Sequence, residues 1–292
     1  MTTMSDVQST AAEILVDASS GLKFPKSPKW NGEKLLFVDI HDRCIKSADL
    51  NGVVRLIRPL PYLPSGMEIL AQGKWAVCDA WRRRLVVWDE AGANLLADIS
   101  GIATVCLTEC IADSHGGIYV ADAGFDFLDP SKDPVANGVI IYIDANGQSS
   151  VVAEHLSLPN SMVITQDLSM FVIAEALAHR LTAYQIEADG SLTNRQDWAQ
   201  LGDDVRPDGI CIDDDGAIWV AGSQHRVSRV RRHGNVDFEV TTERPAFAVT
   251  LGGPELKHLM ICTSMNDDPV VTRQSPNASI EIAKVSIPGV QL

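Results

Sequence analysis

The sequence predicts an all-β fold, a six-bladed β-propeller with four-stranded blades. Six short apolar strands recur, "LLFVDI", "KWAVCD", "GIYVAD", "MFVIAE", "AIWVAG" and "HLMICT". Their marker residues Val38, Val77, Val120, Val172, Val220 and Ile261 are 39, 43, 52, 48 and 41 residues apart. Five of them are followed by a second strand that closes at a glycine turn, the chemistry that closes hairpins. No long helical period interrupts the series. Repeated all-β units of this length are the signature of propeller blades.

The elements follow in order. Residues 1–12 are expected to be a disordered tail, and 13–292 a single propeller domain. The strand "EILVD" precedes the first unit. It is expected to pair into the C-terminal blade, because closing the ring removes an exposed edge. Blade one continues from "LLFVDI" into "CIKSADLNG", and blade two from "KWAVCD" into "LVVWDEAG". Blade three runs through "GIYVAD" and "VIIYIDANG", and blade four through "MFVIAE" and "LTAYQIEADG". Blade five pairs "AIWVAG" with "VSRVRRHG", and blade six carries "HLMICT" after an insertion, "LGGPELKH".

Composition narrows the function. The chain is 46% apolar and 21% charged, so it can bury a core. A net charge of −14 argues against a nucleic-acid surface, which needs clustered Lys and Arg. No apolar run of membrane-spanning length occurs, so no membrane partner is expected. No secretory leader is visible, and the six cysteines sit mostly inside apolar strands as buried thiols. A cytoplasmic protein acting on a small molecule is the expectation.

Twelve residues before five of the markers stand Lys26, Ser65, Thr108, Asn160 and Asp208. The sixth equivalent is Ala246, fifteen residues back. Proline precedes this position in five units. The innermost strand of each blade lines the central channel, so these residues should form a ring at its mouth. Second strands return to the same face. That brings Asp39, His41, Asp79, Trp81, Asp122, Phe125, Glu175, His179 and His225 near the ring. Converging titratable groups in a funnel point to a reactive site. The candidates for catalysis are Lys26, Asp208, Glu109, Asp122 and His179. Ser65, Thr108, Trp81, Phe125 and His41 are candidates for holding substrate, and Trp81, Phe125, Phe127 and Phe247 would supply an aromatic wall.

The stretches "FPKSPKW", "LLFVDIHDRCI", "LPSGMEI", "LPNSMVIT", "AEALAHRLTAYQIEADGSLTNRQDWAQL" and "RPDGICID" resemble the senescence-marker-protein/gluconolactonase (regucalcin-like) family of six-bladed propellers. The resemblance covers nearly the whole chain. It implies one divalent cation at the channel mouth (Ca, Zn, Mg, Mn or Fe) and lactone hydrolysis. It also implies Asn160 and Asp208 as metal ligands. Two ligand positions depart from the family. Lys26 stands where its "FPEGPxW" motif has Glu, and Thr108-Glu109 where it has Asn-Asp. An ammonium disfavours a neighbouring cation. Three readings therefore stand side by side. The first is a family-type hydrolase acting on a lactone or related cyclic ester. The second is a metal-independent lyase, hydratase or isomerase in which Lys26 replaces the metal. The third is a non-enzymatic ligand-binding or regulatory propeller.

Overall fold

A computed structural model describes residues 7–129 and 131–290, and the fold is the six-bladed propeller that the repeat predicts. Blade one comprises Pro25–Trp30, Leu35–Asp39, Cys44–Ala48 and Val54–Pro59. Blade two comprises Pro64–Leu70, Lys74–Asp79, Arg84–Asp89 and Gly92–Asp98. Blade three comprises Leu107–Ala112, Ile118–Asp122, Gly138–Ile143 and Ser149–Leu156. Blade four comprises Pro159–Ile164, Met170–Glu175, Arg180–Ile186 and Leu192–Gln200. Blade five comprises Ile210–Ile212, Ile218–Ala221, Arg226–Val230 and Val236–Thr241. Ala246–Gly252, His258–Ser264 and Ala278–Lys284 build three strands of blade six. Its outermost strand is Glu13–Val16, with Glu13 opposite Ile282, as the expected ring closure requires.

The tail expectation needs correction in part. Residues 1–6 lie outside the described residues. Gln8–Ala11, however, form a fifth strand on blade five, parallel to Val236–Thr241. "QSTA" carries no apolar alternation, so its sequence does not announce a strand. The exposed ladder of blade five supplies its partners.

Burial explains the strand types. Second strands are enclosed between neighbouring blades and read as continuous apolar runs. Outer strands are mostly exposed. Among the described residues the apolar side chains gather into six clusters, one at each blade interface. The innermost strands touch one another in chain order, and the sixth touches the first. Blades three apart therefore face each other across the axis.

One register feature positions the site. Pro25 lies opposite Asp39, Pro64 opposite Asp79, Leu107 opposite Asp122, Pro159 opposite Glu175 and Ala246 opposite Thr263. A bulge follows each of these pairs. Bulges re-aim side chains. Each inner strand thus enters beside the end of its second strand and turns its next residues towards the axis.

Candidate active site

The Pro207–Gly209 turn sets Asp208 beside the axis. Its amide donates to the Ala221 carbonyl (2.8 Å), and the next amide, Gly209, donates to the Phe247 carbonyl (3.0 Å). Glycine is required there, because a Cβ would lie 2.3 Å from Ala248 Cα. The Ser161 amide donates to the Asp208 carbonyl (3.2 Å), which ties blade four to blade five. Asn160, at the same offset of the adjacent blade, lies close enough to favour the charged Asp208 carboxylate.

Lys26 completes the constellation. Its Nζ donates to Asp208 Oδ1 (2.5 Å) and to the Phe247 carbonyl (3.0 Å). Ser27 follows in the left-handed region at φ 49°, where a non-glycine residue is strained. Its hydroxyl accepts from the Met67 amide (2.9 Å) and turns its one hydrogen to either the Met67 carbonyl (3.0 Å) or Glu109 Oε1 (2.8 Å), which holds that conformation. Ser27 reaches Glu109 past Gly66, where a Cβ would sit 2.4 Å from Glu109 Oε1. Ser65 is half-buried, and its hydroxyl is enclosed without a hydrogen-bond partner among the described residues.

A second charged layer lies deeper. Lys29 Nζ pairs with Glu68 Oε2 at 2.9 Å. Burial opposes the Lys29 charge, but the Glu68 and Glu109 carboxylates outweigh it and raise its pKa. Lys26, Ser27, Lys29, Glu109 and Ser161 border a small cavity of about 30 Å³. That is room for a water or two. Burial pushes the Glu109 carboxyl up, against the pull of Lys29, Ser27 and Lys26. Burial likewise raises Asp208 despite the Lys26 ammonium beside it. Lys29 and Glu68 went unnoticed in the sequence, although a signal existed. Each stands three residues after its ring residue, in adjacent blades.

Other candidates take different places. Asp122 is fully buried and turned back into its own blade. It accepts from the Thr104 amide (2.9 Å), the Thr104 hydroxyl (2.7 Å), the Val105 amide (3.2 Å) and the Gly124 amide (2.8 Å). These four bonds tie both carboxylate oxygens to the segments that enter and leave blade three. His179 is half-buried and pairs through Nδ1 with the Val205 carbonyl (2.8 Å), with no bond to Lys26 or Asp208. Thr108 donates to the Pro159 carbonyl (2.8 Å) and so links blades three and four. Trp81 is exposed on the rim, whereas Phe125 is buried. His41 is buried, stacks on Phe24 with ring centroids 4.9 Å apart, and meets Thr272 Oγ1 through Nδ1 (2.6 Å). Phe24 meets Phe247 edge-on at 5.0 Å, so an aromatic wall stands next to Lys26.

The donor set does not fit a divalent cation. One carboxylate and one amide converge, and an ammonium already rests on the carboxylate. Among the described residues no three His, Cys, Asp or Glu side chains form a metal-binding group. A cation there would meet Lys26 at close range, a repulsion worth several kcal/mol, on the order of 4 kcal/mol per unit charge at an intermediate dielectric.

The family profile described as SMP-30/Gluconolactonase/LRE-like region matches residues 24–265. The chain is 28% identical over 154 residues to the pentonolactonase XacC of Haloferax volcanii, covering 51% of this chain and 53% of that one. It is 28% identical over 168 residues to lactonase drp35 of Staphylococcus aureus, covering 54% and 50%. The chain thus spans about half the length of these curated relatives. Among solved structures, a calcium-binding regucalcin of Agrobacterium tumefaciens superposes with a TM-score of 0.77 at 18% identity, covering 99% of this chain and all of the other.

Proposed function

The chain belongs to the SMP-30/gluconolactonase/LRE-like family, and from that premise we propose that it is a lactonase-like hydrolase of small cyclic esters in which Lys26 polarises the carbonyl. The observation that carries this reading is the Lys26–Asp208 pair, 2.5 Å apart at the channel mouth. A fixed ammonium is an electrostatic partner for an oxyanion. Asp208 is the proton carrier. Its raised pKa moves it towards the range in which a base works well near neutrality.

In this scheme a water oxygen adds to the lactone carbonyl carbon while Asp208 takes the water's proton. Negative charge gathers on the former carbonyl oxygen, beside Lys26 Nζ. When the ring C–O bond breaks, the proton passes from Asp208 to the departing alkoxide. The product is the open hydroxy acid.

Lys26→Ala and Lys26→Glu test the proposal, with lactone hydrolysis followed by acid release and bound metal measured by elemental analysis. The wild type is expected to hydrolyse lactones in the presence of chelator. Lys26→Ala should lose roughly 100-fold or more, the usual cost of removing one oxyanion partner. Lys26→Glu should lose native activity and gain metal. The wild-type rate should fall on acidification through a pKa above the ordinary carboxylate range, because Asp208 must be ionised to accept the proton. If chelator removes a stoichiometric ion and the activity together, Lys26 is a bystander. A product with a new carbon–carbon double bond would make the enzyme a lyase.

A further inference from the structure

Four consecutive residues, Lys26 to Lys29, brace the channel across most of its blades. They lie on the inner strand of blade one. A bulge between Lys26 and Lys29 takes Ser27 and Pro28 out of the ladder with Leu35–Asp39. Bulged residues are not held by ladder bonds, and proline has no amide to offer. Ser27 also sits at φ 49°, a conformation that persists only where its surroundings over-determine it. Side chains must therefore hold this turn.

They do so in two directions. Lys26 Nζ reaches blades five and six, at Asp208 and the Phe247 carbonyl. Buried Ser27 reaches blades two and three instead. Its hydroxyl accepts from the Met67 amide and has one hydrogen to give. Glu109 Oε1 is the nearer acceptor, at 2.8 Å against 3.0 Å for the Met67 carbonyl, and it is the charged one. Lys29, past the bulge, is anchored on blade two by Glu68 (2.9 Å). Between the two lysines, the Ser27 hydroxyl ties the bulge down.

Glu109 stands on the inner strand of blade three, and blade two lies between it and Ser27. Gly66 opens the way across. A Cβ there would lie 2.4 Å from Glu109 Oε1, 2.6 Å from Glu109 Cα and 2.8 Å from the Cys110 nitrogen. Glu109 is only 6% exposed, and a buried carboxylate is costly unless it is bonded. Its Oε1 also accepts from the Cys110 amide (3.1 Å). Lys29 has its own contact in Glu68, so the side chain that Glu109 holds directly is Ser27. Lys26, Ser27 and Glu109 all wall the same small cavity.

We propose that Glu109 is a positioning residue: through the Ser27 hydroxyl it fixes the bulge from which Lys26 reaches Asp208, and so sets where the ammonium stands during the reaction. The kinetic effect rests on the lactonase reading above, but the placement of Lys26 has its own readout.

The first readout is brief acetylation by acetic anhydride, with the modified peptides quantified by mass spectrometry. Lys46 is the reference, a lysine of the same blade that is 9% exposed and paired with Asp39 and Asp42. Ser27→Gly removes the hydroxyl together with the strain, so it spares the backbone. Glu109→Ala removes the acceptor. Both should raise the ratio of Lys26 to Lys46 labelling by roughly five- to tenfold, the factor that one net hydrogen bond is worth. The second readout is lactone hydrolysis. In both variants kcat should fall roughly 100-fold, the effect of displacing a reacting group by about 1 Å, while KM changes little. Glu109→Gln keeps an oxygen for Ser27 and should recover part of what Glu109→Ala loses. If no form hydrolyses lactones while the labelling ratio still rises, the lactonase reading fails and the placement of Lys26 stands. Wild-type labelling and wild-type kcat in Ser27→Gly overturn the assignment and leave the lactonase reading intact. A fall in kcat without faster labelling also overturns it, because Glu109 would then act other than through Lys26. So does faster labelling in an active enzyme whose kcat is unchanged.

Discussion

His41 carries its ring proton on Nδ1, because the Thr272 hydroxyl donates its only hydrogen to the Asp268 carbonyl (3.0 Å) and so accepts from His41. Nε2 is then an acceptor, with no protein partner among the described residues. Burial lowers the pKa of this histidine to about 4, with Arg273 assisting and Asp39, Asp267 and Asp268 opposing. The folded form therefore stays neutral while the unfolded chain takes up a proton below about pH 6.5. More protons on the unfolded side mean that stability falls as pH drops from about 6.5 towards 4. Denaturant midpoints at pH 7 and pH 5 should show that loss, and His41→Gln should reduce it. Nitrogen chemical shifts of the ring should show no titration between pH 8 and pH 5. A midpoint near pH 6.5 would end the assignment. His41 itself could be placed near the mouth from its strand, but its partner lies 231 positions away, in a connection far longer than the four-residue turn of its own blade. Lys26 and Asp208 are 182 positions apart and yet were legible, because a repeat turns distant residues into equal offsets.

At the level of the strand, a buried carboxylate where the chain enters a blade recurs with one task. Asp39, Asp122 and Glu175 end second strands and accept backbone amides from the segment that enters the same blade. Blade six has Thr263 at that place, and Glu281 of the next strand takes over, accepting from the Glu243 and Arg244 amides and the Thr263 hydroxyl. The repeated acids were visible in the sequence. Their direction was not visible, since it depends on loop amides that no periodicity reports. Asp122→Asn should cost about 1–3 kcal/mol, the range for buried donors left poorly paired. Its lactone pH profile should keep the wild-type shape; a displaced profile would return Asp122 to the chemistry. Glu175 gives a second test. Burial would raise its carboxyl, yet Arg180, Thr182 and the Ser157 amide together hold it below the usual range. Its stabilisation is present above the unfolded carboxylate value and is lost as pH falls through the depressed one. Glu175→Gln should therefore melt earlier at pH 7 and differ less from the wild type in acid.

The whole molecule is a ring closed by its first residues. Gln8–Ala11 extend blade five, and Glu13–Val16 then complete blade six. Val16 also packs in the cluster between blades six and one, with Leu22, Phe37, Met260 and Ile280. Deleting residues 1–17 should expose that cluster and the edge of blade six. The expected result is a lower melting temperature and self-association in size-exclusion chromatography; a monomer with unchanged melting would show that closure contributes nothing. The same arrangement has a consequence for synthesis. Glu13 pairs with Ile282, so the two halves of the clasp are made far apart in translation. At roughly 5–20 residues per second, Glu13 leaves the ribosome roughly a quarter of a minute to a minute before its partner exists. Throughout that interval an unclasped strand waits beside growing, half-built blades. Its neighbourhood suits such waiting: Gln8, Ser9, Thr10, Glu13 and Asp17 keep the segment at home in water until the last blade emerges.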